Sequence, residues 1–177
     1  IIKFGNIRNA VQWESERVVE LNFYKFELNG PFPDSIGTLE KLEYISVRKN
    51  LISGILPEGI GNLSNLKTLD LQNAALSGKI PDSICQLSNL ENFLIYNPMQ
   101  GSGFSGELPS CMTTMTSLKN MSMHNNSLSG EIEDLCPLFD QLNYLSVDGN
   151  NFTLPYPDCI KTGCQYDPRA CNYDPEA

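Results

Sequence analysis

A repeat of about 24 residues runs through most of this 177-residue chain and limits what it can fold into. The segments NLKTLDLQNAALSGKIPDSICQLS and SLKNMSMHNNSLSGEIEDLCPLFD, which begin at Asn65 and Ser117, align without a gap. Leucines open successive copies at intervals of 24, 24, 28 and 24 residues: Leu42, Leu66, Leu90, Leu118 and Leu142. A further copy fits from Val18, so the sequence predicts six stacked repeats.

Each repeat contains a short stretch in which apolar residues alternate with other residues, for example Leu69 and Leu71 in the third copy. This alternation places the apolar side chains on one side of a strand. A single coil buries only part of its apolar surface, whereas coils stacked about 4.8 Å apart form a parallel sheet over a continuous core. The pattern therefore predicts short parallel strands, one from each coil.

The ninth position of the repeat favours asparagine, because its amide can bond backbone groups where the strand turns away. The sequence has Asn50, Asn126 and Asn150 there, and Phe26, Ala74 and Pro98 in the other three repeats. We therefore expect looser coils at repeats 1, 3 and 4. Repeat 4 also carries four extra residues within NPMQGSGFSG, whose Gly and Pro content predicts a loop. This loop is either a tolerated surface insertion or a lip beside the sheet.

The second half of the repeat is more specific. GPFPDSIGTL, GILPEGIGNL, GKIPDSICQL and GELPSCMTTM share a G-x-[ILF]-P frame, from which repeat 5 departs at Glu133. Together with the strand pattern LxxLxLxxNxL, this frame resembles the plant-type extracellular leucine-rich repeat, LxGxIPxxIGxLxxL. That type is found in receptor-kinase ectodomains and polygalacturonase-inhibiting proteins, and the resemblance covers roughly residues 13 to 160.

The resemblance implies an α/β repeat fold: a right-handed leucine-rich-repeat solenoid with a parallel β-sheet on the inner face and turns and 3₁₀ segments on the outer face. We expect an N-terminal cap remnant at 1–17, since WESERVVELNF from Trp13 resembles the end of the family's cap without its paired cysteines. Six leucine-rich repeats follow at 18–160, and 161–177 form a cysteine-bracketed C-terminal cap or the start of the next module. Proteins of this type are secreted or face the outside of the cell, so we expect an extracellular or cell-surface location.

Six cysteines, with no CxxC pair typical of metal sites, predict a set of disulfides in an extracellular chain. Neighbouring coils are close enough for a bridge, whereas coils two apart are not. In the repeat alignment this favours Cys85–Cys111 and Cys136–Cys159, with Cys164–Cys171 in the tail. A bridge between Cys111 and Cys136 is the alternative.

The tail GCQYDPRACNYDPEA, at 163–177, matches nothing else in the chain. It resembles a short module, GCxDPxACNYxPxAxxDDGSC, that recurs in large surface and secreted proteins of marine bacteria and algae. This resemblance indicates a piece of a longer surface protein. Asp167, Asp174 and Glu176 are candidate Ca²⁺ ligands, since Ca²⁺ takes oxygen ligands. We favour a disulfide-stapled spacer instead, in which Asp-Pro pairs make turns, and predict no cofactor.

The formal charge of −9 argues against nucleic acid and anionic lipid as partners. No apolar run approaches the roughly 20 residues of a membrane helix. The single histidine, His124, is expected as a solvated side chain on the exposed side of a strand. No nucleophile elbow or glycine loop accompanies it, so the sequence predicts a protein that is not an enzyme.

Function is expected on the outward positions of the strands, because the inward side chains are committed to the core. In register these positions form columns, and one of them joins Asn22, Ser46, Asp70, Leu94, Ser122 and Ser146. Tyrosine offers rigid area and a hydroxyl group for recognition. The candidate ligand-binding residues are Tyr24, Arg48, Gln72, Leu94, Tyr96, His124 and Tyr44. The alternative is an ordinary solvated sheet with strand-favouring tyrosines.

The sequence thus predicts a non-enzymatic extracellular recognition or adhesion module that binds a protein or glycan through the inner sheet face. Alternatives are a structural subunit of a cell-surface filament or coat, held by neighbouring copies, and an inhibitor of a secreted polysaccharide-degrading enzyme. An ice-binding surface would require regular ranks of Thr or Asn, whereas the columns are mixed. Glycosylation candidates are Asn62, Asn120, Asn125 and Asn151. Glycans at the middle two would obstruct part of the inner face.

Overall fold

The computed structural model describes residues 10–98, 103–138 and 141–153. Several expectations lie outside these ranges and stay predictions. They are residues 1–9 of the predicted cap, the tail bridge Cys164–Cys171, the calcium candidates Asp167, Asp174 and Glu176, the partner position Cys159, and residues 99–102 within the segment NPMQGSGFSG of repeat 4.

Strands in the described ranges are short, as the alternating pattern predicts. In chain order they are β1 (Val11–Glu14), β2 (Arg17–Asn22), β3 (Asn29–Pro31), β4 (Tyr44–Ser46), β5 (Leu51–Gly54), β6 (Thr68–Asp70), β7 (Ala75–Leu76), β8 (Asn92–Leu94), β9 (Ser105–Glu107), β10 (Asn120–Ser122), β11 (Ser127–Gly130), β12 (Tyr144–Ser146) and β13 (Asn151–Phe152). Each coil contributes one strand to a main sheet and a second strand to a side sheet.

The main sheet has the order β1-β2-β4-β6-β8-β10-β12. Its first pair, β1 and β2, is an antiparallel hairpin, and every later pair is parallel. Two smaller parallel sheets, β3-β5-β7 and β9-β11-β13, follow the strands of the main sheet. This arrangement confirms the predicted leucine-rich-repeat solenoid with parallel strands.

Short 3₁₀ helices cover the side opposite the main sheet, at Asp34–Thr38, Glu58–Asn62, Asp82–Gln86, Ser110–Thr114 and Ile132–Leu138. The first four follow a proline in an extended or near-extended conformation, for example Pro33 with φ −73° and ψ 131°. Proline fixes φ and needs no backbone donor, so it suits the residue before a helical turn. Gly37 and Gly61 lie on these helices, where a Cβ atom would collide with the next coil.

The core is one continuous column of apolar side chains between these two faces. Leu69, Leu90 and Phe93 have no exposed surface, and the leucines that open repeats 2 to 5 are buried in the same way. These are the inward residues of the predicted repeat.

Asn50 shows how the asparagine positions act. Its Nδ2 donates to the carbonyl oxygens of Phe23 and Val47, both at 2.7 Å. Its Oδ1 accepts from the amides of Phe26 and Leu28, at 3.1 and 3.0 Å. Each of these asparagines thus makes hydrogen bonds to the preceding coil as well as to its own coil. The sequence analysis did not predict the bonds to the preceding coil. Repeat 1 lacks its own asparagine but receives these bonds from repeat 2.

The structure contains a disulfide between Cys85 and Cys111, with Cα atoms 5.9 Å apart. It joins neighbouring coils, as the alignment favoured. Cys136 is also disulfide-bonded. Its pairing with Cys159 involves a residue outside the described ranges and stays a prediction.

Candidate recognition face

Parallel pairing aligns the outward side chains of the main sheet into columns. Backbone bonds continue this register past the strand ends, as from Lys25 N to Arg48 O at 3.1 Å and from Lys49 N to Gln72 O at 3.0 Å. The third outward column holds five of the predicted candidates, Tyr24, Arg48, Gln72, Tyr96 and His124, and it ends with Asp148. We call the outward side of the main sheet, together with these following residues, the inner face.

The second outward column, which joins Asn22, Ser46, Asp70, Leu94, Ser122 and Ser146, is less exposed than the sequence predicted. Ser46, Asp70, Ser122 and Ser146 are between 2% and 6% exposed. Period-two alternation places each of them between two larger outward side chains, such as Tyr44 and Arg48 around Ser46, which shield it from water. On the inner face, two more outward columns therefore flank a line of buried polar residues, which the partly buried Leu94 interrupts.

Asp70 is the charged member of this buried line. Its Oδ2 accepts from Ser46 Oγ at 3.1 Å, and its Oδ1 accepts from Gln72 N at 3.2 Å. Burial raises the pKa of the Asp70 carboxyl group, although these two hydrogen bonds and the charge of Arg48 act in the opposite direction. The centre of the inner face thus carries a carboxylate that is poorly solvated.

His124 is partly buried rather than fully solvated, which corrects the sequence expectation. Its ring stacks on that of Tyr96, with centroids 4.1 Å apart and planes 21° apart. Its Nδ1 lies 3.0 Å from Ser146 Oγ, which donates to Asp148 Oδ1 at 2.8 Å. In the tautomer that carries its proton on Nδ1, His124 donates to Ser146 Oγ, which in turn donates to Asp148.

This arrangement differs from a serine nucleophile activated by histidine. Ser122 Oγ, at 3.3 Å, and Ser146 Oγ, at 3.0 Å, both contact the Nδ1 atom of His124. A general base must instead accept the nucleophile's proton, with the carboxylate on its other nitrogen. Here Asp148 bonds to Ser146, on the Nδ1 side of the ring, so the described residues do not have the order serine, histidine, carboxylate of a catalytic triad.

His124 predicts a pH dependence of stability. Burial lowers the pKa of its imidazole below the ordinary value, with Asp148 partly opposing the shift. The unfolded chain then binds protons more readily, so stability falls as the pH drops through about 6.5, the unfolded pKa. Urea unfolding from pH 8 to pH 5 should show this loss, and His124→Gln should show less of it. Equal pH slopes for both proteins would contradict the prediction.

Tyr24, Lys25, Arg48 and Lys49 form what we call the cationic cluster, at the first two coils of the inner face. Around the Tyr24 ring centre, Lys25 Nζ lies at 5.3 Å, Arg48 Cζ at 5.7 Å and Lys49 Nζ at 5.8 Å. Desolvation raises the pKa of Tyr24, but the hydrogen bonds and charges of Lys25 and Lys49 outweigh it and lower the pKa overall. Tyr24 is 42% exposed, so its ring is available to a partner.

Two of these residues were missed as candidates from the sequence. Lys25 and Lys49 have φ values of 58° and 57°, in the left-handed region. Asn73, Asn125 and Gly149 take the same conformation at the equivalent place in later coils. The sequence feature that could have identified them is a lysine at a turn position where later coils have Asn or Gly.

The remaining candidates lie between or beside these groups. Gln72 separates the cationic cluster from the Tyr96–His124 stack, and Leu94 is partly buried in the second column. Tyr44 lies in the first outward column, which also holds Thr68, Asn92 and Asn120. Burial raises the pKa of its hydroxyl group. The structure thus joins Tyr24 to Arg48 and Tyr96 to His124 as two separate groups on one face.

Of the four glycosylation candidates, Asn62 and Asn151 are exposed. Asn120 and Asn125 are partly buried, and Asn120 Nδ2 donates to Asn92 Oδ1 at 2.6 Å. Asn92 in turn donates to Thr68 Oγ1 at 2.9 Å, so these side chains form a short ladder. Modification at any of the four stays a prediction.

Within the described ranges, no group of His, Cys, Asp and Glu side chains is arranged to hold a metal ion. The same ranges contain no helix with the length and apolar character that crossing a membrane requires.

The comparisons with known proteins agree on the fold. The model of a leucine-rich repeat region matches residues 5–154. No curated protein matches the chain significantly. Among solved structures, the complex PEPR1–AtPEP1 superimposes with a TM-score of 0.74 at 28% identity, over 87% of this chain and 21% of that chain.

Two further structures are informative. A plant ice-binding protein matches with a TM-score of 0.73 at 26% identity, over 87% of this chain and 50% of that one. The Arabidopsis receptor kinase HAESA, solved with the peptide hormone IDA and the co-receptor SERK1, matches with a TM-score of 0.71 at 30% identity. That match covers 81% of this chain and 24% of the other. The chain thus spans about a fifth to half the length of these structures.

Proposed function

Because the chain belongs to the leucine-rich repeat family, we propose that it is a non-enzymatic recognition module that binds an extracellular protein through its inner face. Structural relatives include a receptor kinase solved with a peptide hormone and a co-receptor. The disulfide between Cys85 and Cys111 fits an oxidising, extracellular setting. Adhesion to other cells or surfaces would be one use of such binding.

The observation that carries this proposal is the third outward column. Tyr24, Arg48, Tyr96 and His124 are held in register by the parallel backbone, yet none of them fills the apolar core. Tyrosine and arginine are enriched among the residues that dominate binding energy at interfaces. A face with these side chains on a rigid sheet is suited to recognition.

Ice binding is not proposed, although one structural relative has that function. The polar ladder of Thr68, Asn92 and Asn120 extends over three coils only, and Tyr44 and Tyr144 occupy its column on either side. A regular rank of small polar groups is therefore absent from this column.

The double variant Arg48→Ala plus Tyr96→Ala should weaken partner binding about 100-fold, because each side chain has the character of an interface hot spot. Immobilised wild-type chain would first capture a partner from the extracellular protein fraction of the source organism. Binding of the purified partner to both chains would then be measured by biolayer interferometry.

The matched control is Ile55→Ala plus Lys79→Ala, which removes two exposed side chains away from the inner face. This variant should bind like the wild type. Unchanged binding by the Arg48 and Tyr96 variant would move the site to an edge or to the outer side. If the captured partner no longer bound the chain after the partner's glycans were removed, the ligand would be a glycan and the protein-binding proposal would be overturned.

A further inference from the structure

The cationic cluster concentrates positive charge in a chain that is acidic as a whole. The sequence has 12 Lys and Arg residues against 21 Asp and Glu residues, yet three cations surround the single ring of Tyr24. Three like charges held close together repel one another, so charge alone does not favour this arrangement. The cluster therefore requires a separate explanation.

None of the cations in the cluster forms an ion pair within 4 Å of a carboxylate among the described residues, although the charge of Arg48 acts on Asp70. The ion pairs there are Lys67–Glu43 and Lys119–Glu91, at 2.6 and 2.8 Å. Arg48 Nε is shielded from water and makes no hydrogen bond within the described part of the chain. A buried donor without an acceptor is destabilising, so a ligand that draws the Arg48 side chain toward an anionic oxygen would relieve this cost.

The backbone of the cluster also favours a functional reason for its lysines. Lys25 and Lys49 both have a positive φ, and the equivalent places in later coils have Asn73, Asn125 and Gly149. Asn and Gly adopt this conformation more easily than lysine does. Residues in strained conformations concentrate at active sites and ligand-binding sites, where the surrounding structure holds them in place.

The next coil adds groups suited to a polypeptide. Gln72 and Asn73 continue the two columns of the cluster with amide side chains. Asn73 Oδ1 is buried and, in the described residues, has no hydrogen-bond donor. An extended peptide carries a backbone N–H at nearly every residue, so it would supply the missing donor once the Asn73 side chain turns toward it.

We infer that the cationic cluster binds an acidic segment of the protein partner. Asp or Glu carboxylates of that segment lie against Arg48, Lys25 and Lys49, and an aliphatic part packs on the Tyr24 ring. The segment continues toward Gln72 and Asn73. This inference rests on the proposed function and names the chemistry that the inner face selects.

The test uses a fluorescein-labelled dodecapeptide that contains four Asp residues among Gly and Ser and has an amidated C-terminus. A matched peptide has Asn in place of Asp. Fluorescence anisotropy would measure binding to the wild-type chain, to Lys25→Asn plus Lys49→Asn, and to Lys67→Asn plus Lys119→Asn. Both variants lose two positive charges. Both also introduce a residue that the repeat already uses at that column, since Asn73 and Asn143 occupy the equivalent positions.

We expect the wild type to bind the Asp peptide and not the Asn peptide. The cluster variant should bind about tenfold more weakly, which corresponds to the loss of two close ion pairs. The control variant should change by less than about twofold. Salt near 1 M should remove the difference between the variants, because the Debye length falls to about 3 Å.

Equal weakening by the two variants would show general charge attraction and overturn the inference. So would tighter, cluster-dependent binding of dextran sulfate, which would assign the cluster to sulfated glycans. A captured partner that still binds the cluster variant but not the Arg48 and Tyr96 variant would refute the acidic segment while leaving the proposed function intact.

Discussion

Replacement of Asn126 by alanine is expected to lower the free energy of unfolding by about 3–5 kcal/mol. Asn126 is 1% exposed, and its Nδ2 donates to the carbonyl oxygens of Ile95 and Met123 at 3.0 and 2.9 Å. Its Oδ1 accepts from Phe104 N at 2.9 Å and from Asn97 Nδ2 at 2.7 Å. Alanine leaves these buried groups unpaired, and each such group costs about 1–3 kcal/mol.

The control for this prediction is Asn143→Ala, because Asn143 is exposed. Surface substitutions of this kind usually change stability by less than about 0.5 kcal/mol. Urea unfolding followed by circular dichroism would measure both variants. A loss below about 1 kcal/mol at Asn126 would show that its hydrogen bonds are replaced by water or by a local rearrangement of the coil.

The sequence predicted the core because the repeat leaves few alternatives. Once period-two alternation and a fixed repeat length are combined, the inward residues of every coil stack on those of the next. Ile45, Leu69 and Phe93 are accordingly adjacent across three strands and almost fully buried. No long-range information beyond the repeat was needed.

The burial of the second outward column was not predicted. The alternating pattern tells on which side of the strand a side chain lies, but not how much of that side chain is exposed to water. Ser122 is 6% exposed since it lies between Asn120 and His124 on the same side of its strand. Leu94, which is larger than serine, stays partly exposed in the same column. The exposure of a residue in this column depends on its own size and on the size of its neighbours on the same strand. This dependence is visible only in the structure.

The role of the asparagine positions was predicted in part. The sequence showed that Pro98 interrupts the series in repeat 4, but not that Asn126 of repeat 5 bonds to Phe104 and Ile95 of repeat 4. The pairing depends on which backbone groups of the preceding coil face the amide. The sequence alone therefore identified the asparagine but not the coil to which it makes its hydrogen bonds.

For the candidate site, the sequence likewise predicted which residues share a column, but not which of their side chains contact one another. The Tyr96–His124 stack and the cations around Tyr24 both depend on rotamers and on ring positions between coils. The alignment could place Tyr96 beside His124 but could not show that Ser146 and Asp148 fix the imidazole. Recognition chemistry here arises from contacts between coils, which no single repeat encodes.

Leu69→Ala should destabilise the chain by about 3–5 kcal/mol, whereas Leu51→Ala should cost less than about 0.5 kcal/mol. The two substitutions remove the same atoms, but Leu69 has no exposed surface and Leu51 is 64% exposed. Leu69 also lies in a central coil, paired with Ile45 on one side and Phe93 on the other, so a cavity there weakens two interfaces of the stack. Urea unfolding of both variants would measure the difference, and similar losses would mean that the inward column does not hold the coils together.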